Sequence, residues 1–275
     1  MWLSNLPATL TGMGVHDFLA DGDLDGAIRA QRAAVAADPS PRSHLLLAEL
    51  LLIAGEFRGA FDLLGEIVSD DPGWPASRRH WRNLVRAANR RDQLRRGRHP
   101  LGQSLPRHAR HRVRVGHHAA AESHALAARH ADAAEATSPE LSGHADGQEF
   151  AGLRDLDDRF GSVLEVLAGP RYVVVPLERL ASIVVRPAEG VADLIYRPAE
   201  LHDRAGNAWA CTLPLTYPGS HRAGGAFALG LETDCVERGE IVEAIGSRVW
   251  LFGDDEASPG EFRRIDLRAA GQSPP

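Results

Sequence analysis

The feature that most constrains the fold of this chain is a spacing of 33 residues near its start. Gly22, Leu24, Ala27, Ala34 and Pro39 recur as Gly55, Phe57, Ala60, Ile67 and Pro72, and an acid precedes each proline, as Asp38 and Asp71. A period of this length belongs to a helical hairpin that cannot bury its apolar face alone and must stack on a neighbour. Each conserved type in the period has a physical task. Gly22 and Gly55 stand where a first helix has to stop and the backbone turns tightly. Ala27 and Ala60 are small enough for two helices to approach closely. Leu24 and Phe57 plug the hairpin's open end, and Asp-Pro closes the second helix, because proline cannot continue it.

The pattern is similar to that of tetratricopeptide repeats. Two repeats need a further helix to cover them, and the stretch from Pro75 to Leu94 supplies one, with Trp81, Leu84, Val85 and Ala88 at helical spacing. Stacked hairpins commonly present a groove to a peptide or helix. The expected lining here is His16, Leu19, Leu45, Glu49 and Leu52, from the first helix of each repeat. A plain scaffold without a partner is the alternative.

Charge divides the chain into three blocks. Residues 1–77 hold 4 Arg against 11 acids, residues 78–144 hold 14 Arg against 5, and residues 145–275 hold 13 Arg against 21, with no lysine anywhere. A basic middle between acidic ends points to internal pairing before a nucleic-acid partner. Arg78, Arg82, Arg86 and Arg90 form one stripe along the third helical element. Such a stripe meets acids of the repeats, faces water, or receives an acidic partner. Aromatic platforms for nucleotide stacking are sparse, with only Trp74 and Trp81 nearby, so nucleic-acid binding is disfavoured.

Eight of the 13 histidines lie between His99 and His144. Pairs such as His108 with His111, or His117 with His118, lack the remaining ligands of a zinc site, and no metal or cofactor is expected. Gly97–Gly116, rich in Arg, His, Gly and Pro, reads as an exposed linker, followed by a helix over Ala119–Ala136. Only two cysteines occur, Cys211 and Cys235, without a C-x-x-C pattern, and they offer no disulfide framework. Met1–Pro7 does not have the form of a signal peptide, and the longest apolar run, Leu45–Ala54, is too short to span a bilayer. A cytoplasmic protein without membrane partners is the expectation.

From Phe150 the texture changes to short strand-like runs: Tyr172–Pro176, Ser182–Val185, Asp193–Tyr196, Ala210–Leu213, Arg248–Phe252 and Phe262–Leu267. Helices are expected from Arg159 or Phe160 to Leu167 and near Leu177–Leu180, giving an α+β domain with an antiparallel or barrel-like sheet. Asp155, Asp157, Asp158 and Glu165 are the dense carboxylate cluster. As an active site they would make a metal-dependent hydrolase. The spacing lacks the glycine and terminal glutamate of a calcium loop, and helix capping with pairing to Arg154 or Arg159 is the simpler account.

The C-terminal runs, in their order, resemble the ImpE family, also known as TagJ or SciE-type proteins. The resemblance rests on Asp146–Phe150, on Asp155-Leu156-Asp157-Asp158-Arg159 through Glu165, and on Tyr172–Pro176. It extends through Asp193–Ala199, which holds Tyr196 and Arg197, through Tyr217–Ser220, and to Leu229-Gly230 with Thr233-Asp234. The chain departs from the family in the valines before Pro176 and in Cys235 after Asp234. The resemblance implies a type VI secretion accessory protein that binds the N-terminal helix of the sheath's small subunit (TssB-like) and a ClpV-like ATPase. The combined expectation is an α+β multidomain protein and a non-enzymatic adaptor. It has a tetratricopeptide-like α-α superhelix over 1–95, a basic His/Arg/Ala-rich linker over 96–144, and a β-rich α+β domain over 145–275. Its partner-binding residues are the groove set with Arg78, Arg82 and Arg86, and no small-molecule substrate is expected.

Overall fold

A computed structural model describes residues 14–94 and 105–268. Met1–Pro7, His99 and the linker positions 97–104 lie outside them. The N-terminal part is helical: α1 (Val15–Ala20), α2 (Leu24–Ala37), α3 (Pro41–Ile53), α4 (Phe57–Glu66) and α5 (Trp74–Leu94). Gly22 and Gly55 both adopt left-handed backbone, with φ of 74° and 75°, at the ends of α1 and α3. Ala27 and Ala60 are fully buried at the equivalent points of α2 and α4. Asp23 caps α2 by accepting from Gly26 N–H at 2.7 Å. Ser40 and Ser43 form a reciprocal cap on α3, with Pro41 in its first turn. The α3 run Leu46–Ile53 is buried throughout, as expected of a helix covered on all sides.

Gly55→Ala tests the turn. The left-handed backbone disfavours a side chain, and the added methyl would collide with the His221 ring. Loss of about 1–2 kcal/mol in urea unfolding is the expected result.

The segment read as exposed linker is different. From Arg107 it is helix α6 (Arg107–Ala120), which pairs with α7 (His124–Glu135). Ala109, Val113 and Ala119 are buried, and so are His108 and Arg112. The polar residues had masked an apolar face. Arg112 lies against Gly161 and donates to Asp158 C=O at 2.8 Å. His108 joins Glu178 at 2.8 Å and the Ser162 hydroxyl at 3.0 Å.

The remainder is β-rich. The strands are β1 (Ser142–Ala145), β2 (Gln148–Ala151), β3 (Leu153–Asp155), β4 (Val163–Ala168), β5 (Arg171–Pro176), β6 (Leu180–Val185), β7 (Tyr196–Asp203) and β8 (Ala208–Pro214). The short helix α8 (Gly225–Ala228) and β9 (Thr233–Arg238), β10 (Ile241–Gly246), β11 (Trp250–Phe252), β12 (Asp255–Ala257) and β13 (Arg264–Leu267) follow. An eight-stranded sheet runs β2-β1-β13-β6-β7-β8-β4-β5, beside a β12-β11-β3 sheet and a β9–β10 ribbon. Every pairing in the large sheet is antiparallel.

Two further expectations are corrected here. The helix expected over Arg159–Leu167 is strand β4, buried on both faces, so no alternation marked it. The strand expected from Asp193 begins only at Tyr196, after a 3-10 turn over Ala192–Leu194. The helical core is continuous with the β-rich part, since Leu167, Val191, Ala192, Ile195, Ala228 and Leu229 pack into the cluster built by α1–α5.

Candidate functional site

Two groups of residues were expected to carry function, and the fold treats them differently. The expected groove is occupied from within the chain. Leu19, Glu49 and Leu52 are 2%, 4% and 1% exposed, so they form no open groove, although Leu19 borders a cavity, while His16 and Leu45 are half-buried. Glu49 accepts from Ala192 N–H at 2.9 Å, which ties α3 to the turn before β7. A methyl on Gly22 would sit 3.3 Å from Ala226 Cβ. Burial pushes the Glu49 carboxyl up to about 7. Helical periodicity located an apolar face, but nothing in it told that the second part of the same chain covers that face.

The arginine stripe of α5 remains open. Arg78 and Arg82 are half-buried, and Arg86 and Arg90 are exposed. Among the described residues none of the four makes an ion pair. Arg82 and Arg86 instead rest on the Phe61 ring, 3.8 and 4.8 Å from its centroid, and Arg90 donates to Pro170 C=O at 2.9 Å.

The carboxylate cluster is brought together as a buried ionic network. Asp155 receives Arg248 Nη1 at 2.6 Å, the Tyr217 hydroxyl at 3.0 Å and Asp157 N–H at 2.9 Å. Glu165 receives Arg91 through Nε at 3.1 Å and Nη2 at 2.8 Å, the Tyr172 hydroxyl at 2.7 Å, and Arg248 Nη2. Asp157 chelates Arg159 and accepts from Ala244 N–H at 2.8 Å. Asp158 takes Arg154 at 2.7 Å and Val242 N–H at 2.7 Å. The pairing to Arg154 and Arg159 is as expected, but the aspartates cap no helix. Asp155 ends β3, and Asp157 and Asp158 sit in the turn that leads into β4.

Burial pushes the Asp155 carboxyl up to about 6, against the pull of Arg248. At Glu165 two guanidinium groups, Arg91 and Arg248, overcome the cost of burial and hold its carboxyl down at about 2. Burial and the neighbouring Glu165 raise the Tyr172 hydroxyl well above its usual value. The cavity beside the network, lined by Arg91, Arg112, Arg159 and Glu165 among others, measures about 40 Å³, room for a water or two. Its chemistry is charge neutralisation, and it clamps α5, β3, β4 and the segment before β11 together.

Tyr196 and Tyr217 are buried, Tyr217 in this network and Tyr196 against the helices. Arg197 is buried elsewhere. The network's other half, Arg91 and Arg248, was missed. Arg91 had a signal, since it lies seven residues after Leu84 on the buried face of α5, where an arginine is out of place unless paired. Arg248 had none.

The histidines of α6 and α7 gather as well. His111 and His130 bring their Nδ1 atoms to 2.9 Å, and His118 stacks on His130 with centroids 5.2 Å apart. Burial and then Arg114 lower His111; burial and then His111 lower His130. Among the described residues no group of three His, Cys, Asp or Glu is arranged to hold a metal ion.

With this geometry in place, comparison with known proteins is informative. Residues 147–266 match the family described as ImpE protein. Over 273 residues the chain is 28% identical to the type VI secretion system accessory component TagJ of Pseudomonas aeruginosa, covering 93% of this chain and 91% of that protein. The crystal structure of protein VPA1032 from Vibrio parahaemolyticus has the same fold, with a TM-score of 0.84, 23% identity, and coverage of 94% of this chain and 98% of that one.

Proposed function

We propose that this chain, whose residues 147–266 match the ImpE family, is a non-enzymatic accessory component of a type VI secretion apparatus, working by docking other proteins. The end-to-end match to an accessory component supports the pathway. In this reading residues 1–95 form the tetratricopeptide-like docking unit, 96–144 the basic segment between the two domains, and 145–275 the ImpE-like domain. In this reading the protein works in the cytoplasm. Its partners are the N-terminal helix of the sheath's small subunit and a ClpV-like ATPase.

The observation that carries the docking reading is the open stripe of Arg78, Arg82 and Arg86, the last two resting on Phe61 and all three free of ion pairs among the described residues. With Leu19, Glu49 and Leu52 covered, the stripe is the accessible part of the expected partner surface, and it suits an acidic helix. The hydrolase alternative is disfavoured because guanidinium groups already occupy the carboxylates it would use.

Fluorescence anisotropy of a labelled N-terminal helix from the organism's own sheath small subunit tests the reading. Saturable binding is expected, weakening with salt and falling roughly tenfold or more in the R78E/R82E/R86E variant. Unchanged affinity in that variant would remove the stripe from the interface. No binding by protein shown to be folded would sink the sheath-helix partner.

A further inference from the structure

Between α1 and the start of β7 lies a cavity of about 190 Å³, lined by Leu19, Leu194, Leu215, Leu229, Leu231 and Arg197. Five arginines are buried among the described residues, namely Arg91, Arg112, Arg159, Arg197 and Arg248. Four of them meet a carboxylate: Arg91 and Arg248 at Glu165, Arg112 at Glu135, and Arg159 at Asp157. Arg197 is the exception. It is 6% exposed, and its Nε donates to Asp193 C=O at 2.8 Å. Its two terminal nitrogens make no hydrogen bond, and no carboxylate oxygen lies within ion-pair distance, among the described residues.

The acids close by are otherwise engaged. The Asp193 carboxylate accepts from the N–H groups of Glu189 and Gly190 at 2.8 and 3.1 Å. Glu261, on the cavity wall and exposed, turns one oxygen to Ser258 N–H at 2.9 Å. Burial lowers the affinity of Arg197 for its proton, with the Asp193 charge opposing it and Arg263 adding to it. A largely buried guanidinium whose terminal nitrogens hold no carboxylate is open to an incoming anion. Five leucines make up much of the wall beside Ser247, Ser258 and Glu261, and Leu231 is 42% exposed. The volume suits one or two side chains rather than a whole helix.

We propose that this cavity anchors a partner polypeptide through an Asp or Glu flanked by an aliphatic residue, with the carboxylate closing on Arg197 and the aliphatic group on the leucines. The site is separate from the α5 stripe and stands or falls independently of the sheath-helix reading.

Selection of displayed random dodecapeptides on the full-length protein tests it. Enriched peptides are expected to share an acid next to Leu, Ile or Val. Their affinity should fall at least tenfold when the acid becomes its amide, in R197Q, and in L231D, while R78E/R82E/R86E leaves it unchanged. L231D alters an exposed position, so it remains informative if R197Q folds poorly. The proposal is overturned if no peptide is enriched, if enriched peptides lack an acid, or if they bind both cavity variants as they bind wild type. Octanoate competing as effectively as the peptides would assign the cavity to a free fatty carboxylate and overturn the peptide.

Discussion

Arg248→Met is expected to lower unfolding stability by about 3–5 kcal/mol, the scale for removing one partner from a buried ion pair. Arg248 is 1% exposed, bonds both Asp155 and Glu165, and packs on the rings of Phe160 and Tyr217 at 4.5 and 5.1 Å. Methionine fills much of the volume but returns no charge. Glu165 would still hold Arg91 and Tyr172, whereas Asp155 would keep only the Tyr217 hydroxyl and a backbone N–H. Asp155, already raised to about 6 with Arg248 present, would then stay protonated near neutrality. The deficit should therefore shrink as the pH is lowered toward 5. Urea unfolding followed by circular dichroism at two pH values measures both effects. A loss no larger than that of the exposed-pair variant Arg58→Ala would show that the network does not hold the helical and β-rich parts together.

Glu49→Gln should do the reverse and stabilise the protein above neutral pH. The folded carboxyl is raised from 4.5 to about 7. Between those values the folded chain keeps a proton that the unfolded chain releases. Stability is thus fully present below about 4.5 and declines as pH rises to about 7, by roughly 3 kcal/mol. Glutamine can still accept from Ala192 N–H and carries no charge to bury. The variant should match wild type near pH 4.5, lose that slope, and exceed wild type by roughly 3 kcal/mol at pH 8. Asp155 leaves a smaller decline of the same sign between 3.8 and about 6. The acid limb should be unmoved, because Glu165, held down at about 2, contributes stability that is lost only as pH falls below its unfolded value. A variant less stable than wild type at pH 8 would mean that Glu49 is ionised and held by a favourable interaction.

These two residues also mark how far the amino-acid pattern reached. The helical hairpins were legible because their determinants are local: a glycine that must turn left-handed, an alanine at a helix crossing, a proline at a helix end. Most of the longer strands were legible for a similar reason, since Tyr172–Pro176 and Ala210–Leu213 carry β-favouring runs bounded by turn residues. Val163–Ala168 was not, because a six-residue stretch buried on both faces has no period to tell strand from helix. The β9–β10 hairpin was hidden differently, for all six residues of Thr233–Arg238 are exposed and show no apolar alternation.

The network is the deeper limit. Arg91 finds Glu165 across 74 residues, and Arg248 finds Asp155 across 93, so no local window contains both ends. Asp155, Asp157, Asp158 and Glu165 were visible as a charged group, but only the fold shows what neutralises them. Glu49 and Leu52 were correctly placed on a helix and given the wrong neighbour, because periodicity identifies a face and not its cover.

Those separations also set an order of events during synthesis. Asp155 and Glu165 are made well before Arg248, and the sheet cannot acquire its β13 strand until later still. On a growing chain the helices can form by local contacts, while the acids of β3 and β4 stay hydrated until nearly all of the chain is available. Final docking of α5 onto the sheet is thereby made a late step. A chain interrupted before Arg248 would carry its leucine-rich helical face with incomplete cover and two acids lacking their cation, which makes it a substrate for quality control rather than a working fragment.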